Sequence, residues 1–183
     1  MSATTIILLV VIVIVVFVVG IYNSLVASRN KCDNAWATID TQLQRRLDLI
    51  PNLMETVKGY AIHEQDTFTK VTQARNACLA ASDPEEVSKA NNQLSSTLHQ
   101  LLAVAESYPD LKANQNFSQL QAELTDTENR ISYARQSYND CVYTYNTAIQ
   151  KFPNNLLAGM FGFTAKPMYS TGENAKKAPR VQF

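Results

Sequence analysis

The chain is expected to be all-α: an N-terminal transmembrane helix followed by an elongated antiparallel three- to four-helix bundle with an irregular C-terminal tail. Three observations predict this. Residues 6–19 are continuously apolar, only 5 Gly and 6 Pro punctuate 183 residues, and apolar residues return every seven positions through most of the remainder. Sandwiches, barrels and α/β folds need turn residues far more often than that. The natural divisions are 1–27 for the membrane helix, 28–155 for the bundle and 156–183 for a docking tail. After the anchor about 155 residues remain, enough for a single core.

The anchor is read from Ile6 to Val19, which with its flanks Thr4-Thr5 and Tyr22-Asn23 gives a span of roughly 20 residues, long enough at ~1.5 Å per residue to cross ~30 Å of hydrocarbon. It has no polar face, which a soluble core helix would have. A cleaved signal peptide is the rival reading, but no basic residue precedes the run and no small-x-small site follows it. Every charged side chain lies from Arg29 onward. Arg29 and Lys31 follow the span, so the positive-inside rule leans the C-terminal domain toward the cytoplasm, with the far side of the membrane left open. Cys32, Cys78 and Cys141 are an odd, widely spaced set that suits a reducing compartment better than a disulfide framework.

Beyond the anchor, one row carries Trp36, Leu43, Ile50, Val57, Val71 and Cys78, with Glu64 interrupting it, and a second carries Cys32, Ile39, Leu53, Tyr60 and Ala74. Together they predict a helix from about Ser28 to Ala81. Pro51 either kinks this helix or opens a new one capped by Asp48; the preserved phase favours a kink. Ser82-Asp83-Pro84-Glu85-Glu86 then stops and restarts the chain, with Asp83 as cap and Glu86 completing a capping-box-like pair. The following helix runs to about Ser107, striped by Val87, Leu94, Leu101 and Tyr108, and Tyr108-Pro109-Asp110 ends it.

The last long helix is expected from about Asn116 to Phe152. Phe117, Leu124, Ile131, Tyr138, Tyr145 and Phe152 are seven apart, with Leu120, Thr127, Ala134, Cys141 and Ala148 as the alternate row, a bundle or coiled-coil seam five heptads long. If the chain goes out from the membrane, back and out again, the tail starts at the membrane-distal end. From Leu156 on, the tail is too apolar to stay unattached and has four basic residues against one acidic. It should dock on its own bundle, a neighbouring subunit or lipid.

Reactive constellations are scarce. A neutral chain, 16 basic against 16 acidic residues with no basic run, argues against an electrostatically driven nucleic-acid binder. His63-Glu64 opens like a zinc-protease helix, but Thr67 stands where the second histidine would be and His99 belongs to another helix. The cysteines look like small apolar fillers, with no histidine at helical spacing to activate them. With no phosphate loop, serine nucleophile motif or paired carboxylates, no catalytic residue, cofactor or metal is expected and the chain is read as non-enzymatic.

Two polar sets stand out: Asp40, Arg45, Arg46 and Asp48 on the first long helix, and Glu123, Glu128, Arg130 and Arg135 on the last. Glu128 and Arg135 flank the seam, where opposite charges on facing helices set register. The bland reading is a solvated face with ion pairs of ~0.2–1 kcal/mol; the sharper one is a subunit contact. Tyr138-Asn139 recurs as Tyr145-Asn146 one heptad on. Their phenols, if buried, need partners from a flanking amide or a carboxylate. Arg45, Arg46, Glu128, Arg135, Phe161, Phe163, Tyr169 and Phe183 are therefore the candidate subunit or partner contacts.

Long stretches resemble the LemA family. They include Tyr22-Asn23-Ser24-Leu25-Val26, the block from Gln42 to Leu53, Val57-Lys58-Gly59-Tyr60, His63-Glu64, Tyr108-Pro109-Asp110-Leu111-Lys112-Ala113-Asn114, Thr127-Glu128-Asn129-Arg130-Ile131, the paired Tyr-Asn dipeptides and Pro179-Arg180-Val181-Gln182-Phe183. The resemblance implies a bacterial single-span membrane protein with a long helical domain and transfers no catalytic residue. The leading expectation is a membrane-anchored structural protein that self-assembles laterally as a homo-oligomer and organises the bilayer. The alternative is a tethered adaptor or regulator of a membrane protease or sensor.

Overall fold

The computed structural model describes residues 2–61 and 63–170. Among them the protein is all-α: α1 (Ala3–Lys58), α2 (Gln65–Ala80), α3 (Pro84–Ala105), the single turn α4 (Pro109–Lys112), α5 (Gln115–Gln150) and the short α6 (Asn154–Met160). Two compact units are formed. One joins residues 2–38 to 136–168, and the other joins 39–135 to 169–170.

The apolar segment and the first bundle helix are one continuous helix of 56 residues. From Ile21 to Ile50 there is neither glycine nor proline to end it. Pro51 lies inside α1 and does not break it. A proline has no N–H to give the carbonyl four residues back, so the Leu47 oxygen loses its helical partner. Arg75 of α2 supplies the replacement, its Nε donating to the Leu47 carbonyl at 3.1 Å. Arg75→Ala should cost about 1.5–3 kcal/mol, the range for a hydrogen bond from a charged donor. The same change in a Pro51→Ala background should cost clearly less, which a double-mutant cycle by urea denaturation measures.

The helix expected from Ser28 to Ala81 is in fact two helices, broken between Lys58 and Gln65. Gly59 and Tyr60 leave α1, and Ala61 N–H closes on the Val57 carbonyl at 2.9 Å. The interruption of the apolar row at Glu64 marked this boundary: a stripe that resumes in phase does not require one helix. α2 returns antiparallel along α1, since Thr72 meets Met54 while Arg75 meets Leu47.

The extra reversal changes where the chain ends. α3 runs outward and α5 returns, so residues 136–150 share a unit with the first part of α1. The tail therefore starts beside the apolar N-terminal segment, not at the distal end expected from three passes.

α3 starts as anticipated. The Asp83 carboxylate accepts the Glu85 and Glu86 N–H groups, both at 2.9 Å, and Glu86 reaches back to the Ser82 N–H at 3.3 Å. Asn114 caps α5 in the same way, accepting from Asn116 and Phe117 N–H, while its amide donates to the Tyr60 hydroxyl at 3.0 Å. Tyr60 thus meets the segment at 108–114, and Tyr108 also reaches Glu64.

The core of the larger unit gathers Leu47, Ile50, Leu53, Val57, Phe68, Val71, Leu94, Leu98, Leu101, Leu111, Phe117 and Leu124. Along α5 the buried face follows Phe117, Leu124, Ile131, Tyr138 and Tyr145, as the heptads predict. The second row slips. Val142 and Ile149 are buried, Cys141 only partly, and Phe152 is 80% exposed beyond the helix end. An α-helix drifts by about 20° per heptad from a seven-residue repeat, which shifts burial from Cys141 to Val142 and Ile149, while Phe152 is exposed because the helix ends at Gln150.

Candidate functional site

Two polar constructions occupy the bundle, one in each unit. The first is built on Arg46, which completes the row Cys32, Ile39, Leu53 at the one heptad place filled by a charge. Its side chain is 5% exposed. One guanidinium nitrogen, Nη1, donates to Asn91 Oδ1 at 3.2 Å and Ser95 Oγ at 3.0 Å on α3, and lies 2.6 Å from the Glu128 carboxylate on α5. A single side chain thereby ties three helices.

Arg135, one heptad beyond Glu128, stacks its guanidinium 4.7 Å from the Tyr169 ring centroid. Burial lowers the Arg46 pKa, the Glu128 charge opposes that shift, and Arg135 adds to it. A guanidinium stays charged regardless, so Arg46 keeps its charge with a second cation nearby and Glu128 as its ion-pair partner. Arg46 Nε and Arg135 Nε and Nη2 find no hydrogen-bond acceptor among the described residues.

The second construction is a ladder between α5 and the tail. The Tyr145 hydroxyl donates to the Thr164 carbonyl at 3.0 Å and the Tyr138 hydroxyl to the Pro167 carbonyl at 2.9 Å. The Asn146 amide clasps Lys166, donating to its carbonyl and accepting from its N–H, both at 2.9 Å. Lys166 Nζ reaches Asp33 at 2.7 Å, an exposed pair of small energetic value. The phenols of the Tyr-Asn repeat are thus answered by tail backbone rather than by a neighbouring amide or carboxylate.

The tail enters this ladder through α6. Gly162 has φ +70° and the Phe163 N–H bonds to the Ala158 carbonyl at 2.9 Å, the left-handed helix stop that glycine allows without Cβ strain. Phe163 is thereby turned inward, under the Arg29 guanidinium at 5.2 Å and edge-on to Tyr22 at 5.7 Å. Trp36 packs edge-on to Tyr138 at 5.2 Å. Farther on, Tyr169 is buried and Ser88 donates to the Ser170 carbonyl.

Of the residues singled out from the sequence, Arg46, Glu128, Arg135 and Tyr169 come together in one unit, and Phe161 and Phe163 lie in the other. Arg45, one position from Arg46 and so ~100° around the helix, is exposed. Phe183 lies outside the described residues. Sequence reasoning missed Asn91 and Ser95, which lack any charge signal, and Arg75, whose signal was the proline opposite it. It missed Arg46 as a buried group although the gap in the row pointed to it. Arg130 pairs with Asp126 at 2.7 Å on the surface. His63 and His99 are exposed, and all three cysteines are free thiols, Cys32 fully buried. Among the described residues no three His, Cys, Asp or Glu side chains gather.

The phenols and thiols of these sites shift in one direction. Burial pushes Tyr138, Tyr145 and Tyr169 above the ordinary phenol value of 10.0, and pushes the Cys32 and Cys78 thiols above 9.0. The folded state therefore holds these protons while the unfolded chain releases them. Their contribution to stability is complete below pH 9 and is lost as pH rises past 9 for the thiols and past 10 for the phenols, through the folded values. Urea midpoints should fall in that window, and the part of the fall above pH 10 should flatten in Tyr138→Phe and Tyr145→Phe chains.

These features define a class: a helical protein whose polar side chains pin its own helices and tail, carried on a helix with an apolar N-terminal stretch. The LemA family model matches residues 35–183, and the chain belongs to the LemA family. It is 30% identical to Protein LemA of Metamycoplasma hominis, over 76% of this chain and 64% of that protein. It is also similar to magnetosome protein MamQ of Magnetospirillum gryphiswaldense at 24% identity and to magnetosome protein MamQ 2 of Paramagnetospirillum magneticum at 25%, each over 78% of this chain and 62% of the relative. The chain thus spans less than two thirds of the length of these curated relatives, and none of their names denotes an enzyme.

Proposed function

We propose that this protein is a non-catalytic membrane-anchored structural element that self-assembles laterally, with its helical domain on the cytoplasmic side of a bacterial cell membrane. The observation that carries this reading is how the polar candidates are used: Arg46, Glu128, Tyr138, Tyr145 and Asn146 are spent on intrachain contacts that lock helices and tail. What the chain offers outward is surface, including the exposed rings of Tyr133 and Tyr143 on α5.

Anchoring is supported by α1, which is long and apolar enough to cross a bilayer and whose apolar window is left unburied by the other described residues. Chains held in one membrane also meet at a raised effective concentration, so weak lateral contacts suffice. Relatives named for a cellular body rather than a reaction fit the same picture.

Sedimentation and light scattering of the detergent-solubilised full chain test the proposal. Oligomers are expected, and Tyr133→Asp with Tyr143→Asp should weaken them while leaving the unfolding midpoint within about 0.5 kcal/mol of the parent, as exposed substitutions do. A chain that stays monomeric at high concentration overturns self-assembly. A second membrane protein co-purifying with that monomer would favour the tethered adaptor.

A further inference from the structure

α6 presents its apolar side chains outward. Leu156 and Met160, one helical turn apart, are exposed, Met160 to 76%, while Ala158 on the other side is buried. Phe152 in the preceding turn and Phe161 at the helix end add two exposed rings. Nothing in the packing of the described residues requires four large apolar groups at the surface of one short segment.

Their position says what covers them. The Phe161 ring lies 5.0 Å from Tyr22, edge-on, and Phe163 lies 5.7 Å from the same ring. Tyr22 is the first aromatic residue beyond the apolar run, where a phenol marks the junction of hydrocarbon and water. α6 is therefore at headgroup depth if α1 spans the bilayer, and its exposed face continues the apolar surface of the anchor. The surrounding charge is mainly positive. Within this unit, beyond the apolar run, four basic side chains, Arg29, Lys31, Lys151 and Lys166, stand against two acidic ones, Asp33, already engaged by Lys166, and Asp140 on α5. A short apolar helix rimmed by an excess of cations is suited to anionic lipid.

We propose that the segment from Phe152 to Phe161 is a second bilayer contact, an interfacial helix seated among anionic headgroups beside the point where α1 emerges. The proposal rests on the membrane-spanning reading of α1. Its consequence is that α1 is held at two points, which restricts its tilt and rotation and gives every anchored copy the same orientation.

The test uses the full chain in a Trp36→Phe background, reconstituted into phosphatidylcholine vesicles with or without phosphatidylglycerol. Met160→Trp and, separately, Phe152→Trp report on the segment, and Ile12→Trp reports on the span. With lipids brominated near the glycerol, both segment reporters should lose most of their fluorescence, more so with phosphatidylglycerol at low salt. Ile12→Trp should be quenched instead by lipids brominated deep in the chains. Unquenched segment reporters beside a deeply quenched Ile12→Trp overturn the interfacial contact and leave the anchor standing. An unquenched Ile12→Trp overturns the spanning reading itself. Equal quenching with and without phosphatidylglycerol overturns the preference for anionic lipid.

Discussion

Glu128→Ala is expected to destabilise the bundle by about 3 kcal/mol, although on the surface map it deletes only a half-exposed carboxylate. The reason lies with the partner. Arg46 is 5% exposed, cannot shed its proton and has Arg135 nearby, so losing Glu128 leaves a buried cation beside a like charge. Breaking a buried pair typically costs about 3–5 kcal/mol, and the 39% exposure of Glu128 places this case at the low end because water can reach the site. The double variant Arg46→Met, Glu128→Ala should recover more than half of the loss, since an apolar side chain of similar length fills the slot without a charge to solvate. Guanidinium unfolding of the four chains measures this. A Glu128→Ala chain as stable as the parent would show that the pair carries no weight.

Leu124→Asp should be the more damaging change, costing about 4–5 kcal/mol and lowering the melting temperature by more than about 10 °C. Leu124 is buried in the cluster formed with Leu94, Leu98 and Phe117, and Arg46, which lines the same cavity, is already engaged by Glu128. Phe152→Asp is the matched control. Both positions belong to one seven-residue row, yet Phe152 is exposed, and its replacement should move the midpoint by no more than about 0.5 kcal/mol. Calorimetry of the two variants therefore separates a position defined by heptad counting from one defined by packing.

The contrast shows what was legible. Helix class, the start of α3 at Asp83 and the buried face of α5 from Phe117 to Tyr145 were readable because capping and amphipathic spacing are local, involving residues within a turn or two. The break at 59–64 was less so. Its apolar rows continue in phase on both sides, and only Glu64 and Gly59 disagreed. Missing that reversal moved the tail to the wrong end, since each added turn inverts the direction of all that follows.

The candidate site was half visible. Glu128 and Arg135 stood beside a seam, and Arg46, unlike solvent-facing Arg45, falls in the row of Cys32, Ile39 and Leu53, but nothing local names the partners through which it ties three helices. Likewise Tyr138, Tyr145 and Asn146 announced a need for partners without naming the tail carbonyls that meet it.

The amino-acid order alone determined that this protein is helical, that its N-terminal stretch suits a hydrocarbon environment, and which faces are apolar, because each follows from periodicity along one helix. Only the tertiary structure decided which charge is buried, why Pro51 does not break α1, and where the tail returns. Those outcomes depend on partners 28 or more positions away, such as Arg75 for Leu47, Ser95 for Arg46 and Pro167 for Tyr138, which no local spacing encodes.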